Sequence, residues 1–119
     1  MTESPTLQRV YDSKTGAELA LHIPASFGQP GINFVTESDS VHQLGVLKWQ
    51  KGHRIESHVH NPMLRTIEST QEVLFVRSGR IRVDLYREDC SYHSSLELGP
   101  GDVVFLSSGG HGFEILEDA

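Results

Sequence analysis

The sequence has few of the features that mark secreted, disulfide-bonded or membrane-spanning proteins. It contains a single cysteine, Cys90, so no disulfide can form within the chain, which agrees with a reducing cytosol. Its uncharged apolar runs are too short for a transmembrane helix. The first ten residues contain no basic region followed by an apolar region, so we expect no secretory signal. We therefore expect a cytoplasmic protein with no membrane partner.

Basic residues are also scarce. Ten Lys and Arg residues are set against sixteen Asp and Glu residues, which gives a net charge of −6. Proteins that bind nucleic acid by neutralising phosphates need a basic surface, so we expect no nucleic-acid partner. Histidine, in contrast, is abundant. There are seven in the chain, and His53, His58 and His60 fall within eight residues.

We expect the chain to be organised as one domain. A length of 119 residues fits a single domain over 1–119. No repeat and no low-complexity linker divides it. Residues 1–5 are expected to be a frayed terminus.

Short apolar runs separated by Gly, Pro, Ser, Asn and Asp predict strands along most of the chain. The clearest is 80–86, where Ile81, Val83 and Leu85 alternate with polar residues. The other predicted strands are 18–23, 31–35, 41–49, 72–76, 103–106 and 111–116, with turns at 88–91, 99–102 and 107–110. This rhythm indicates an all-β antiparallel sandwich or barrel. Asn61 and Pro62 permit one helical turn, because Asn can cap a helix and Pro can occupy its first position.

His58 and His60 are the first candidate metal ligands. Residues two apart on a strand project from the same face, so the predicted strand places both imidazoles side by side. Two neighbouring imidazole nitrogens can chelate a divalent transition metal. The alternative is a pair of surface histidines on a polar strand face.

Glu72 and His111 are predicted to face the interior. Glu72 is in phase with Leu74 and Val76, and a buried carboxylate is costly unless it has a cation or a hydrogen-bond donor. His111 is in phase with Phe113 in the last predicted strand. The alternatives are a solvent-exposed glutamate at a strand end and a core histidine with satisfied hydrogen bonds.

These positions resemble the cupin family. Its first motif, G-x5-H-x-H-x3,4-E-x6-G, is matched over about 52–79 by Gly52, His58, His60, Glu72 and Gly79. The second motif, G-x5-P-x-G-x2-H-x3-N, is matched loosely over about 101–115 by Gly101, Gly109 and His111. The resemblance implies a double-stranded β-helix, the mostly antiparallel jelly-roll or cupin barrel.

The resemblance also implies a metal site inside the barrel. Its ligands would be His58, His60, Glu72 and His111, holding one divalent transition metal ion per chain, with Fe, Mn, Ni and Zn all open. Eleven residues lie between His60 and Glu72, where the family has three or four. This insertion contains Glu68, an alternative carboxylate. We prefer Glu72 because six residues then separate it from Gly79, as in the motif.

Three histidines and a carboxylate leave one or two metal positions for water or substrate. The resemblance therefore implies a metal-dependent protein acting on a polar small molecule, for which a sugar derivative is one candidate. The reaction would be that of an isomerase, an epimerase or a dioxygenase. The alternative is a binding or sensing module that holds metal and ligand without turnover. No catalytic residue is assigned beyond the metal ligands.

Other side chains have weaker claims to a role. An acid or base near the metal could be Glu68 or Tyr92, and His53 could line the pocket. Arg54 and Arg65 could bind an anionic group of a substrate. For each of these the alternative is a surface or packing role. Tyr86 is expected to pack in the sheet, Trp49 to lie in the core or an interface, and Cys90 not to act as a nucleophile.

A homodimer is expected from the short second half of the barrel. A chain of this length should leave a sheet edge exposed, and an exposed edge tends to pair with another chain. The first fifty residues are rich in predicted strands. We therefore expect the interface to involve residues before Trp49.

Overall fold

The computed structural model describes residues 6–119, so the expectation that residues 1–5 fray falls outside the described part. The strands are β1 (Gln8–Tyr11), β2 (Glu18–Ile23), β3 (Gly31–Phe34), β4 (Gly45–Lys48), β5 (Glu72–Phe75), β6 (Arg80–Tyr86), β7 (Tyr92–Leu98), β8 (Val103–Leu106) and β9 (Gly110–Glu117). Every strand pair is antiparallel. The predicted all-β class is therefore confirmed. No helix in this part of the chain is long and apolar enough to cross a membrane.

The strands belong to two compact units. Unit 1 combines the chain up to Phe27 with Ser69–Ala119, and unit 2 is Gly28–Glu68. Unit 1 contains a four-stranded sheet in the order β1-β2-β8-β5 and a three-stranded sheet in the order β7-β6-β9. Unit 2 contains the β3-β4 hairpin, in which Ile32 lies opposite Leu47.

The core of unit 1 is formed by residues of both of its sheets. The alternation predicted in β6 is confirmed, because Ile81, Val83 and Leu85 are buried and the residues between them are not. The whole buried cluster consists of Ala20, Val76, Ile81, Val83, Leu85, Leu96, Leu98, Val104 and Leu106. Burying one such side chain contributes about 1.5–3 kcal/mol, so this cluster is the main source of stability in unit 1.

The turn between β8 and β9 requires glycine at position 109. Gly109 has a φ of 72°, in the left-handed region that side chains rarely adopt. A Cβ atom at this position would lie 2.2 Å from the carbonyl oxygen of Tyr86. The turn fixes the start of β9, and therefore the position of His111.

Two predictions for the segment before β5 are wrong. Residues 53–68 form neither a strand nor a helix, so His58 and His60 do not lie on a strand and Asn61 does not begin a helical turn. The segment is exposed at every position except Arg65, so no buried apolar face ties it to a sheet. Pro62 also lacks the N–H group that a strand ladder needs.

The predicted strand 41–49 is shorter than expected. Only Gly45–Lys48 forms a strand, β4. Before it, the side-chain amide of Gln43 donates hydrogen bonds to the carbonyl oxygens of Glu37 and Ser40. These bonds favour a loop there. The sequence does not predict β1, because its four residues show no clear alternation of apolar and polar residues that would distinguish a strand from a loop.

Candidate metal centre

Glu72 and His111 meet at the inward faces of the two sheets of unit 1. Glu72 pairs with Leu106 in β8, and His111 pairs with Leu85 in β6. Cross-strand partners share a face, so both side chains point to the side that holds the core. Glu72 and His111 thus lie on the same sheet faces as the buried residues Leu106 and Leu85. The His111 Nε2 atom lies 3.4 Å from Oε2 of Glu72.

This pair is open to solvent. The Glu72 side chain is 51% exposed and that of His111 is 27% exposed, so of the two alternatives for position 72 the solvent-exposed glutamate at a strand end is the one observed. The reason is the position of Glu72 at the first residue of β5, a strand with a partner on one side only. His111 also packs edge-on against Phe113, with ring centroids 5.4 Å apart. Because both groups are accessible to solvent, a ligand can reach the imidazole of His111 and the carboxylate of Glu72.

His58 and His60 form a second pair, within unit 2. Their ring centroids lie 5.3 Å apart, although the segment is not a strand. The Nδ1 atom of His58 lies 2.9 Å from the carbonyl oxygen of Glu56. A carbonyl only accepts hydrogen bonds, so Nδ1–H is the donor, and in the neutral imidazole of His58 this leaves Nε2 as the ligating nitrogen. Metal-binding histidines are commonly oriented by such a bond.

The chemistry and spacing of these groups fit a transition metal. Imidazole and carboxylate are the donors that Zn, Fe, Mn and Ni accept. Two donors, each about 2.1 Å from a tetrahedral ion, lie about 3.4 Å apart, which is the separation between His111 and Glu72. Among residues 6–119, no group of three or more His, Cys, Asp or Glu side chains is placed so that it could hold a metal ion. A site with all four ligands thus remains a prediction.

The secondary candidates have local partners. A guanidinium nitrogen of Arg65 donates a hydrogen bond to the Ser40 carbonyl oxygen. The Tyr92 hydroxyl lies 2.7 Å from that of Ser95. Arg54 is largely exposed, with its Nε 3.8 Å from a Glu56 carboxylate oxygen. Glu68 is exposed. These contacts explain the positions of Arg65 and Tyr92 without a role at a metal.

Trp49 and His53 stack in unit 2. Their rings lie 3.8 Å apart and are within 7° of parallel. Trp49 is 45% exposed, so it does not belong to the core. The two rings help to line a pocket of about 390 Å³ that also contains Lys48 and Lys51. His53 therefore lines a pocket within unit 2, and no described contact joins it to the candidate metal ligands.

Sequence reasoning missed a second histidine–carboxylate pair in unit 1. His22 pairs with Val104 and faces inward, and its Nε2 atom lies 3.1 Å from Oδ2 of Asp102. Asp102 also accepts hydrogen bonds from the N–H groups of Gly99 and Ala25. Burial opposes the ionisation of Asp102, but the hydrogen bonds from these N–H groups and from His22 outweigh it and lower its pKa. The position of His22 two residues after Ala20 in a predicted strand was the available sign.

Comparison with known proteins identifies no relative. No protein-family model matches the chain, and neither does any curated protein or solved structure. The interpretation of the site therefore depends on the motif residues and on their placement in this all-β fold.

Proposed function

We propose that the protein is a metal-binding cupin that acts on a polar small molecule. The observation that carries this proposal is the approach of Glu72 and His111 from different strands and different sheets to 3.4 Å. Both residues come from the two motifs that resemble those of the family. The antiparallel sheets of unit 1 are compatible with a jelly-roll barrel, the fold that we propose for the family resemblance.

The proposed ligands of one divalent ion are His58, His60, Glu72 and His111. The hydrogen bond to the Glu56 carbonyl holds His58 in the tautomer whose Nε2 can bind a metal. The Glu72 carboxylate would compensate part of the charge of the ion. When bound, the ion would supply a Lewis acid that polarises a carbonyl or hydroxyl oxygen of the small molecule. Such polarisation would serve an isomerase or an epimerase, whereas a dioxygenase would require a redox-active ion such as iron.

A binding or sensing module is the second candidate function. Its support is the apolar character of the inward faces in unit 1, where His22, Glu72 and His111 stand among residues such as Leu74 and Val83. His22 is already engaged with Asp102. Tyr92, which was a candidate acid, is instead bonded to Ser95. His22 and Tyr92 are therefore both engaged by partners other than Glu72 and His111.

A ligand screen with and without metal tests the proposal. Thermal unfolding of metal-loaded protein is measured against sugar nucleotides and small carboxylates, since a ligand that binds only the folded state raises the melting temperature. We expect a small molecule that stabilises the metal-loaded protein and has no effect after chelation or in His58→Ala/His60→Ala. Equal stabilisation of the loaded and the chelated protein would contradict the proposal. Turnover of the molecule that binds then separates the enzyme from the sensor.

A further inference from the structure

The outer edge of β5 has no strand beside it in the described part of the chain. β5 is the last strand of its sheet and pairs only with β8. The N–H of Val76 donates to the Asp102 carbonyl, and the Val76 carbonyl accepts from Gly101. Backbone groups alternate in direction along an antiparallel strand, so those of Val73 and Phe75 point to the free edge. Such an edge is a template for another strand.

An apolar slot lies beside this edge, within unit 1. On its other side stands β9, which is itself an edge strand of the three-stranded sheet. The slot has a volume of about 410 Å³ and is lined by Leu74, Phe75, Val76, Arg77, Ser78, Ile81, Phe113, Ile115 and Ala119. Phe75 is 61% exposed and Ile115 is 57% exposed. Large apolar side chains that are exposed together mark an interaction site.

Arg77 gives the slot a charge preference. Other arginines of unit 1 pair with carboxylates, such as Arg80 with Glu97 and Arg82 with Glu114. Arg77 forms no ion pair with a carboxylate among residues 6–119 and lines the slot just beyond β5. An occupant with a negative charge at this end would supply the missing partner.

We propose that β5 and the slot bind an extended peptide segment of a protein partner, which adds a strand to the sheet. Its backbone would bond to the free groups of Val73 and Phe75, as in other cases of β-strand addition. Alternate apolar residues would fill the slot against Ile81 and Ile115. In an antiparallel arrangement the amino end of the peptide lies opposite Arg77, so that end carries the acidic residue. No metal ion takes part, so this inference does not rest on the proposed function.

A synthetic peptide tests the proposal directly. The probe is a fluorescein-labelled peptide of about eight residues, enough to span β5, in which valine alternates with threonine and a glutamate lies near the amino end. Fluorescence anisotropy with chelated full-length protein should show saturable binding of one peptide per chain. The same peptide with N-methyl groups on the residues that face β5 keeps its side chains but cannot pair with the edge, and it should not bind.

Substitutions at the edge locate the binding site. Phe75→Pro removes an N–H that points away from β8, and proline is tolerated at that side of an edge strand. It should weaken peptide binding about tenfold relative to the control Phe75→Val, the loss expected for one hydrogen bond in an interface. Arg77→Gln should weaken binding by no more than about fivefold. That loss should disappear when the glutamate of the peptide is glutamine, while Arg80→Gln should have no effect on binding.

Three results would overturn the proposal. One is the absence of saturable peptide binding by protein whose circular dichroism shows a folded chain. Another is equal binding of the N-methylated and unmodified peptides, which would indicate that the peptide binds the apolar slot without pairing with the β5 edge. The third is a dimer in sedimentation velocity that Phe75→Pro dissociates and Phe75→Val does not. In that case the occupant of the edge is a second copy of this chain.

Discussion

Glu72 lies close to His111 because each residue is at or next to the start of an edge strand. Glu72 is the first residue of β5 and His111 is the second of β9, and both strands lie at an edge of their sheets. Their cross-strand partners, Leu106 and Leu85, are buried, which fixes the direction of both side chains. Glu68 lies outside any strand and is exposed, so no comparable constraint directs its carboxylate.

Replacing each carboxylate in turn distinguishes the two candidates. Glu72→Ala should weaken metal affinity by at least about 10–100-fold, the loss that removal of even an outer hydrogen-bond partner of a ligand causes. Glu68→Ala should leave metal affinity close to that of the wild-type protein. Competition with a colorimetric chelator measures both affinities. Metal loss with Glu68→Ala and retention with Glu72→Ala would show that the first motif is aligned wrongly beyond His60.

Asp102 should stabilise unit 1 in a pH-dependent manner. Its pKa in the folded protein is lower than its ordinary value, so its contribution is present above that ordinary value and is lost as the pH falls through the folded pKa. Asp102→Asn should therefore lower the free energy of unfolding near neutral pH and have a smaller effect at about pH 3. Urea denaturation at the two pH values measures the difference. An equal loss at both values would contradict a role for the ionised carboxylate.

At the scale of the elements, the alternation of apolar and polar residues predicts strands that have one buried face and one face in solvent. β2 and β6 begin and end at the predicted residues, since Arg80–Tyr86 has an apolar residue at every second position and Glu18–Ile23 is compactly apolar. The phases of Glu72 and His111 followed from the same periodicity. The sequence therefore predicts the sheet faces of Glu72 and His111, the two candidate ligands in unit 1.

The same periodicity does not predict the structure of the segment that contains His58 and His60. The spacing of His58 and His60 predicts a strand, yet residues 53–68 lack the buried apolar residues that hold a strand in a sheet. Their rings are still neighbours, because residues two apart are close in many backbone conformations. The sequence leaves both a buried and an exposed Glu72 open, since the exposure depends on the absence of a strand beside β5 and not on local sequence.

The turn between β8 and β9 should be sensitive to a single methyl group. Gly109→Ala would place a Cβ atom 2.2 Å from the Tyr86 carbonyl oxygen at a φ of 72°. The clash and the backbone strain should cost about 2 kcal/mol or more. Gly99→Ala is the matched control, because a Cβ atom there meets nothing within 4 Å. The two melting temperatures should differ by several degrees, and similar values would show that this turn can rearrange freely.

At the scale of the whole molecule, we predict a homodimer. β1 is the other edge of the four-stranded sheet, and its Tyr11 is 48% exposed. Pairing or covering of this edge by a second copy would place residues before Trp49 in the interface, which is distinct from the edge of β5. Light scattering should give twice the chain mass of 13.2 kDa at micromolar concentration. A mass of one chain under these conditions would contradict the prediction.

The central proposal is that His58, His60, Glu72 and His111 bind one divalent ion. Elemental analysis after reconstitution with Fe, Mn, Ni or Zn tests it most directly, on the wild-type protein and on His58→Ala/His60→Ala and Glu72→Ala/His111→Ala. We predict one ion per chain in the wild-type protein and its loss from either variant, with the strand content unchanged by circular dichroism. No ion in the reconstituted wild-type protein, or an ion retained by either variant, would contradict the proposal.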